Sequence, residues 1–493
     1  MKMKFWFVAG SQAMYGEETL RRVEADAKEI AAGLKVPFPV VYKMTAKSNA
    51  EIRELVKEAN YDADCAGIIT FCHTFSPSKM WINGLGMLQK PWLHFHTQFN
   101  ESIPNEEIDM DYMNLHQSAH GDREHGFIGA RMRLPRAIVA GYWKDPQVQA
   151  KIADWQRAAI GVQFSKDLKI VRFGDNMREV AVTEGDKVEV QIKLGWQVNT
   201  WAVGDLVKEM DKVTDAEIDA LVKEYEAAYD IATENMDAVR YQAREEIAIE
   251  RILVRVGAKA FSNTFEDLYG MKQLPGLATQ HLMAKGYGFG AEGDWKTAAL
   301  YRTVWFMTQG LPGGCSFLED YTLNFDGENS SILQSHMLEV CPLIAADKPR
   351  LEVHFLGIGV RKEYTARLVF DSKVGKGVTA TVVDMGNRFR PIVNDVECIK
   401  PKPLPKLPVA NALWIPMPNF EIGTAAWILA GGTHHSCFSY DITPEFWIDY
   451  AEIAGIEMLR IDKDTTYGSF RHQLMYNEVY YMLNKALKYP PNP

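Results

Sequence analysis

The sequence predicts an α/β fold with two Rossmann-like domains, each a doubly wound parallel sheet, followed by a mostly β C-terminal barrel domain. Residues 4 to about 174 alternate short apolar runs with amphipathic segments, which is typical of a parallel sheet flanked by helices. The chain up to about residue 313 is richer in helix-like segments but keeps strand-like runs. After residue 350, closely spaced runs rich in Val and Ile, with Gly and Pro between them, predict a barrel or sandwich.

The N-terminal domain is predicted over residues 1–170. Its strand-like runs are KFWFVAG, PFPVVYKM, CAGIITFCHT, PWLHFHT and RAIVAGY, and KIVRFG follows at the boundary. GEETLRRVEADAKEIAAGLK repeats apolar residues at helical spacing. SNAEIRELVKEAN is a second predicted helix, where Ser48 and Glu51 form a capping box.

The central domain is predicted over residues 171–313. TDAEIDALVKEYEAAYD and ENMDAVRYQAREEIAIERILVRVGAKA are its predicted helices, and VEVQIKLGW and AFSNTFE are its predicted strands. The barrel domain follows over residues 314–493, with terminal helices that include TPEFWIDYAEIAGIEMLRI. Its predicted strands are RLEVHFLGIGV, ARLVFDS, GVTATVVDMG, RFRPIVNDVECIK and AAWILAGG.

Composition excludes several classes of protein. Of 493 residues, 47% are hydrophobic and 24% charged, which is typical of a globular chain and not of a disordered one. The formal net charge of −10 provides no basic surface for nucleic acid or anionic lipid. Six cysteines without a C-x-x-C pair predict reduced thiols and a cytoplasmic protein. The N-terminal apolar run FWFVAG predicts a strand and not a signal peptide.

A Gly-rich stretch, GYGFGAEGDW, matches the spacing of a dinucleotide-binding loop. We reject that interpretation because a helix-like segment precedes it, because Glu292 would stand where a pyrophosphate binds, and because no acidic residue follows at the position that binds a ribose. Two interpretations remain. The stretch is a flexible turn, or it carries the Glu292 carboxylate on backbone that approaches a ligand closely.

Other residues could bind a metal or transfer protons. Glu319 stands among apolar neighbours, His336 lies in SHMLEVCP, and His434 and His435 follow the apolar run AAWILAGG. If the last two lie in a strand, at most one of them faces a given site. Two carboxylates and two imidazoles would suit Mn²⁺ or Co²⁺, with zinc left open, but spacing alone does not join these residues.

The N-terminal third supplies a second candidate surface. His73, His94 and His96 lie at or near the ends of strand-like runs, where open α/β sheets bind ligands. The alternative is that His94 and His96 lie on the solvent face of an edge strand.

Motifs throughout the chain resemble those of the L-arabinose isomerase family. They include WFVAGSQAMYG, HTFSPSKMWINGL, IDMDYMNL, NTFEDLYGMKQLPGLA, AEGDWKTA, SFLEDYT, SHMLEVCP and WILAGGTHHS. The resemblance implies a divalent metal, usually Mn²⁺, held by two glutamates and two histidines, and the ligand types also allow Co²⁺. The matching residues here are Glu292, Glu319, His336 and His435, and the two glutamates are the implied acid/base pair.

The resemblance also implies a sugar pocket and an assembly. The matching sugar-binding residues are Gln12, Met14, Tyr15, Phe75, His120, Met177 and Phe265. Trimers or hexamers are implied, in which the N-terminal domain of one subunit completes a neighbour's site. This chain departs from the family motifs at Ala13, Met14 and His116, and in the LPGGCSFLED segment.

The implied reaction converts L-arabinose to L-ribulose by enediol-type proton transfer, with D-galactose to D-tagatose as a second activity. An isomerase that prefers fucose or galactose is the alternative within this class. A sugar-binding protein and a nicotinamide oxidoreductase are alternatives from other classes. An export signal would favour the former, but the sequence lacks one, and the Gly-rich stretch argues against the latter.

Overall fold

The computed structural model describes residues 3–326, 329–356 and 362–486. Two compact units divide them. The N-terminal unit contains the chain up to Gln163 together with Glu445–Gly455, and the second unit contains Phe164–Pro444 and Ile456–Lys485. The second unit therefore includes both regions expected to form the central and barrel domains, and the boundary near residue 313 stays a prediction. Within the described residues, no helix is long and apolar enough to cross a membrane.

The N-terminal unit is built on a five-stranded parallel sheet with the order β2-β1-β3-β4-β5. Its strands are β1 Lys4–Gly10, β2 Val40–Ala46, β3 Cys65–Cys72, β4 Trp92–His96 and β5 Ala137–Ala140. Its helices are α1 Gly16–Gly33, α2 Asn49–Tyr61, α3 Ile82–Leu85, α4 Met110–Leu115, α5 Ser118–Arg131 and most of α6 Pro146–Ser165. The predicted strand–helix alternation is confirmed. The strand order reverses at β1 and β3, where ligands bind in folds of this class.

Local sequence explains where α1 and α2 lie. Helix α1 buries Val23, Ala27 and Ile30 on one face, as the helical spacing predicts. Ser48 caps α2 by accepting a hydrogen bond from the Glu51 backbone N–H. The predicted capping box is only half formed, because the Glu51 carboxylate accepts from the Lys47 N–H instead of from Ser48.

The second unit begins with a four-stranded parallel sheet of order β10-β9-β6-β7. Its strands are β6 Lys169–Phe173, β7 Gln197–Trp201, β9 Ala260–Asn263 and β10 Gly288–Gly290, and the short β8 Asp230–Ile231 belongs to another sheet. Its helices are α7 Lys187–Leu194, α8 Val203–Met210, α9 Asp215–Ala228, α10 Met236–Val256, α11 Gly276–Ala284 and α12 Trp295–Met307.

The prediction of a strand at VEVQIKLGW is wrong, because most of this segment forms helix α7. Asp186 caps the helix by accepting from the N–H groups of Val188 and Glu189, and Gly195 ends it at φ 77°. The buried residues are Val190 and Leu194, four positions apart on one helical face. The alternating apolar residues imitated a strand, but the caps at both ends favour a helix.

Six antiparallel strands close into a barrel, which confirms the predicted fold class. The closed order is β15-β18-β11-β12-β17-β16, and β16 also pairs with β15. The strands are β11 Cys315–Asn324, β12 Ser331–Ser335, β15 Gly375–Asp384, β16 Phe389–Ile399, β17 Ala412–Pro416 and β18 His435–Ser439. Strand β19 Leu459–Ile461 adds to β16 in parallel. Helices α13 Phe420–Leu429, α14 Pro444–Ala454 and α15 Tyr467–Ala486 follow among the described residues, and α14 from Glu445 onward belongs to the N-terminal unit.

Two C-terminal predictions need correction. AAWILAGG is not a strand, because it lies in α13 and the turn after it, and Asn419 caps that helix. The segments RLEVHFLGIGV and ARLVFDS contain strands β13 Arg350–His354 and β14 Thr365–Val369, but these form a separate three-stranded sheet with β8. Residues 357–360 of the first segment lie outside the described residues. Residues 487–493, the end of the predicted barrel domain, also lie outside them.

Candidate metal centre and active site

Strand register in the barrel brings three of the predicted ligands together. Glu319 on β11 pairs directly with His435, the first residue of β18. On its other side Glu319 pairs with Ser335, the last residue of β12, and His336 follows immediately. Residues directly opposite on paired strands lie about 5 Å apart, so the antiparallel register places a carboxylate between two imidazoles.

The fourth ligand, Glu292, stands in the turn between β10 and α12. Its φ of 60° is in the left-handed region, which is uncommon outside glycine and often marks a functional position. The Met177 N–H donates to the Glu292 carbonyl over 2.9 Å, and the Gly293 N–H donates to the Asn263 carbonyl over 3.0 Å. The flexible-turn interpretation is wrong for Gly288–Gly290, which form β10. The backbone that carries Glu292 is held by hydrogen bonds on both sides.

These four side chains converge. His336 Nε2 lies 3.6 Å from Glu319 Oε2, and His435 Nε2 lies 3.9 Å from Glu292 Oε2. Ligand atoms of Glu292, His336 and His435 all lie within 4.8 Å of one another. We call Glu292, Glu319, His336 and His435 the quartet. Spacing in the sequence could not join them, but the fold does.

Both imidazoles of the quartet present Nε2 to this common space. His336 Nδ1 lies 2.5 Å from Glu339 Oε2, and His435 Nδ1 lies 3.1 Å from Asp294 Oδ2. Both Nε2 atoms are buried, and neither has a hydrogen-bond partner among the described residues. A carboxylate on Nδ1 places the proton there and leaves the Nε2 lone pair free, which is how metal-binding histidines are usually oriented. The quartet therefore fits a divalent cation bound by two nitrogens and two carboxylates.

The electrostatics of the site are those of opposite charges packed together. Burial alone would lower the pKa of His336, but Glu339, Glu319 and Glu292 outweigh it and raise that pKa to about 9. Burial would raise the pKa of Glu292, but the hydrogen bond with His434 and the nearby histidines hold it below its usual value. Glu292 is thus ionised at neutral pH, and a cation bound at His336 Nε2 would replace the proton that the raised pKa of this histidine keeps there.

His434 was a candidate in the sequence, but its contact with Glu292 was missed. His434 Nε2 lies 3.6 Å from Glu292 Oε2, so both adjacent histidines reach the same carboxylate. The expectation that at most one of them faces a site held only if both lie in a strand, and that condition is not met, because β18 begins at His435. Asp294 and Glu339 were also missed, although each stands two or three positions after a predicted ligand, a spacing that could have indicated them.

The predicted sugar-binding residues fall in both units. Met177 is linked to Glu292 through its backbone, and Phe265 is half-buried after β9. The other five belong to the N-terminal unit. Gln12 precedes a short 3-10 turn, Ala13–Tyr15, in which Met14 is 80% exposed. The Tyr15 hydroxyl donates to Gln117 Oε1 over 3.3 Å, and the Phe75 and His120 rings stack at 4.4 Å. Their role in sugar binding stays a prediction.

The histidines of β4 do not lie on the solvent face of an edge strand. Strand β4 lies between β3 and β5, and His94 is only 3% exposed. Its Nε2 lies 2.9 Å from Asp122 Oδ1, and His96 Nδ1 lies 2.8 Å from Asp122 Oδ2. Both residues therefore share one buried carboxylate.

Comparison with known proteins identifies one family along nearly the whole chain. Models of the L-arabinose isomerase N-terminal, central and C-terminal domains match residues 1–167, 169–310 and 314–457. An L-arabinose isomerase of Phocaeicola vulgatus is 61% identical, with 98% of each chain covered. Those of Thermotoga neapolitana and Geobacillus stearothermophilus are each 53% identical, with 97–98% of this chain and 98% of theirs covered. With matches at this identity over nearly its full length, the chain belongs to the L-arabinose isomerase family.

Proposed function

We propose that this protein interconverts L-arabinose and L-ribulose in the cytoplasm, using a divalent metal ion held by the quartet. The observation that carries the proposal is the convergence of two carboxylates and two Nε2 atoms on one buried space, each imidazole oriented by its own carboxylate. Relatives named L-arabinose isomerase support the choice of substrate.

Glu292, Glu319, His336 and His435 would bind the metal, with Mn²⁺ preferred and Co²⁺ as second choice, because mixed oxygen and nitrogen ligands suit both ions. When bound, such an ion polarises the sugar oxygens and stabilises negative charge that develops on them. Asp294 and Glu339 orient the two imidazoles. Asp294 is itself held by the Thr297 hydroxyl at 2.7 Å.

Proton transfer is assigned to the two glutamates. In the aldose-to-ketose direction, a proton leaves C2 and O1 gains one, which gives an enediol. A proton then leaves O2 and C1 gains one, so that the atoms balance. We assign the transfers at carbon to one of Glu292 and Glu319 and those at oxygen to the other, because both carboxylates face the space that the two imidazoles share.

Five of the sugar-binding residues, Gln12, Met14, Tyr15, Phe75 and His120, belong to the N-terminal unit. We assign them to the site of a neighbouring subunit in a homotrimer or a pair of trimers. Under this proposal activity requires assembly. Dilution below the dissociation constant of the oligomer should remove turnover while each chain remains folded.

Variants of the two glutamates test the function. Glu292→Gln and Glu319→Gln keep side-chain size but remove the base, and we expect each to lower kcat at least about 1,000-fold with Mn²⁺ present. Glu352→Gln is the matched control, because Glu352 also pairs with a histidine, His354, but lies outside the quartet. Ketose formation from L-arabinose should persist in the control and stop with EDTA. Substantial activity in either glutamine variant would refute the acid/base assignment.

Two further measurements refine the proposal. Isomerisation in D₂O should leave deuterium at C1 of the ketose if an enediol forms and the proton exchanges with solvent. Comparing kcat/KM for L-arabinose, D-galactose and L-fucose decides the preferred sugar. D-galactose should yield D-tagatose more slowly, and a higher kcat/KM for another sugar would replace L-arabinose as substrate without changing the reaction type.

A further inference from the structure

A second cluster of metal-binding side chains lies in the N-terminal unit and shares no residue with the quartet. Asp26 stands in helix α1, His73 follows β3, and His116 follows α4. One ligand atom from each lies within 4.8 Å of the other two. The cluster belongs to the carboxyl end of β3, next to the point where the strand order reverses, which is a common place for ligands in such sheets.

Both ring nitrogens of His73 face groups that only accept hydrogen bonds. Nδ1 lies 2.8 Å from the Leu115 carbonyl, and Nε2 lies 2.7 Å from Asp26 Oδ2. A neutral imidazole carries one proton and satisfies only one of these contacts. The backbone carbonyl holds the proton on Nδ1, so the Nε2 lone pair faces the Asp26 carboxylate, and a second proton or a cation bound by both groups would relieve their repulsion. His73 is 1% exposed at its side chain and Asp26 17%.

His116 brings the third ligand. Its Nδ1 is buried and has no hydrogen-bond partner among the described residues. The His73 and His116 ring centroids lie 5.3 Å apart, and Tyr112 packs on His116 at 4.3 Å. A buried ring nitrogen that no donor or acceptor satisfies is available to a cation held by the other two side chains.

We propose that Asp26, His73 and His116 bind one divalent cation of the borderline class, Zn²⁺ or Co²⁺, at a site separate from the proposed catalytic metal. Two imidazole nitrogens and one carboxylate oxygen are the ligands that these ions prefer, whereas Mg²⁺ and Ca²⁺ prefer all-oxygen sites. The hydrogen bond from His73 Nδ1 to the Leu115 carbonyl orients the ring as in established metal sites. The partly exposed Asp26 edge leaves room for water as a fourth ligand.

The experiment counts Co²⁺ ions bound to the full-length protein. The protein is stripped with EDTA, dialysed and titrated with Co²⁺, with calorimetry and elemental analysis for stoichiometry and visible absorption for coordination. His116→Asn and Asp26→Asn each remove one ligand with little change in shape. His472→Asn is the matched control, because His472 is an exposed histidine on α15. Circular dichroism monitors folding of each variant.

Wild type and His472→Asn should bind two Co²⁺ per chain. His116→Asn and Asp26→Asn should each bind one, with affinity at the lost site reduced at least about 100-fold. The double variant Glu292→Gln/Glu319→Gln should also bind one, and its remaining Co²⁺ should disappear when His116→Asn is added. The inference is overturned if folded His116→Asn and Asp26→Asn proteins bind as many ions as wild type. If instead only the glutamate variant keeps both ions, the proposed catalytic site fails and this one stands.

Discussion

Removing the charge of Glu339 tests whether His336 is oriented to bind a metal. Glu339 is 6% exposed, and its Oε2 receives hydrogen bonds from both His336 Nδ1, at 2.5 Å, and the Leu338 backbone N–H, at 3.0 Å. Because one oxygen accepts both bonds, the amide oxygen of a glutamine can replace it. Glu339→Gln should therefore preserve the geometry and remove only the charge.

The expected effect follows from the type of hydrogen bond that is lost. A hydrogen bond to a charged group contributes about 2 kcal/mol and one between neutral groups about 1 kcal/mol. Glu339→Gln should then weaken Mn²⁺ binding about fivefold, since 1.36 kcal/mol corresponds to a factor of ten. Glu339→Ala leaves His336 Nδ1 and the Leu338 N–H without acceptors, which costs about 2.7 kcal/mol and weakens binding about 100-fold.

The assay is calorimetric titration of Mn²⁺ into EDTA-stripped protein, with thermal unfolding measured in the absence of metal. Glu352→Gln serves again as control, because the Glu352 carboxylate lies 2.6 Å from His354 Nε2 and has no described contact with the quartet. It should bind Mn²⁺ as wild type does. The reasoning is refuted if Glu339→Gln and Glu339→Ala, both folded, keep the wild-type affinity, or if the control loses as much as they do.

Three other outcomes are expected. Burial first, and neighbouring carboxylates next, raise the pKa of Asp449 to about 7 and that of Asp154 to about 6. The folded state therefore holds more protons than the unfolded one between about pH 4 and 7, and the stability of the protein falls as pH rises through that range. In thermal unfolding, Asp449→Asn should stabilise the protein by about 2 kcal/mol at pH 8 and little at pH 4. Gly293→Ala should cost at least about 3 kcal/mol in urea unfolding, because Gly293 has φ +79° and a Cβ would lie 2.4 Å from Asn176 Cα; a cost below about 1 kcal/mol would contradict the described turn. All six thiols are buried, so Ellman's reagent should detect none in the native protein at pH 8 and six after unfolding, and rapid labelling of the folded chain would contradict this burial.

The fold could be predicted where local signals agree with long-range packing. Helix α2 shows this, because Ser48 caps it and the apolar residues that follow at helical spacing are buried. The sequence misled where one signal was considered alone. Alternation in VEVQIKLGW imitated a strand although Asp186 and Gly195 bound a helix. In AAWILAGG a continuous apolar run imitated a buried strand, since such a run alone does not separate strand from helix.

The residue types of the candidate site could be predicted, but their convergence in space could not. Composition and neighbours singled out Glu292, Glu319, His336 and His435, and the family resemblance joined them. Residues alone could not, because the contacts are long-range: Asp294 and His435 are 141 positions apart and yet share a hydrogen bond. Which strands become neighbours, and in which register, depends on closure of the whole barrel, and no local pattern contains that information.

Barrel closure also explains why the two imidazoles are oriented before any cation binds. Phe317 is fully buried on β11, and its ring meets those of His336 and His435 at 5.1 Å each, edge to face. The contacts of Nδ1 with Glu339 in His336 and with Asp294 in His435 then fix the rotation of each ring about its Cβ–Cγ bond. Since both rings are held by packing on one side and by a carboxylate on the other, little conformational entropy remains to be lost when a ligand binds at Nε2. Preorganisation of this kind needs residues from the barrel and from the parallel sheet together, which accounts for a site assembled from such distant segments of the chain.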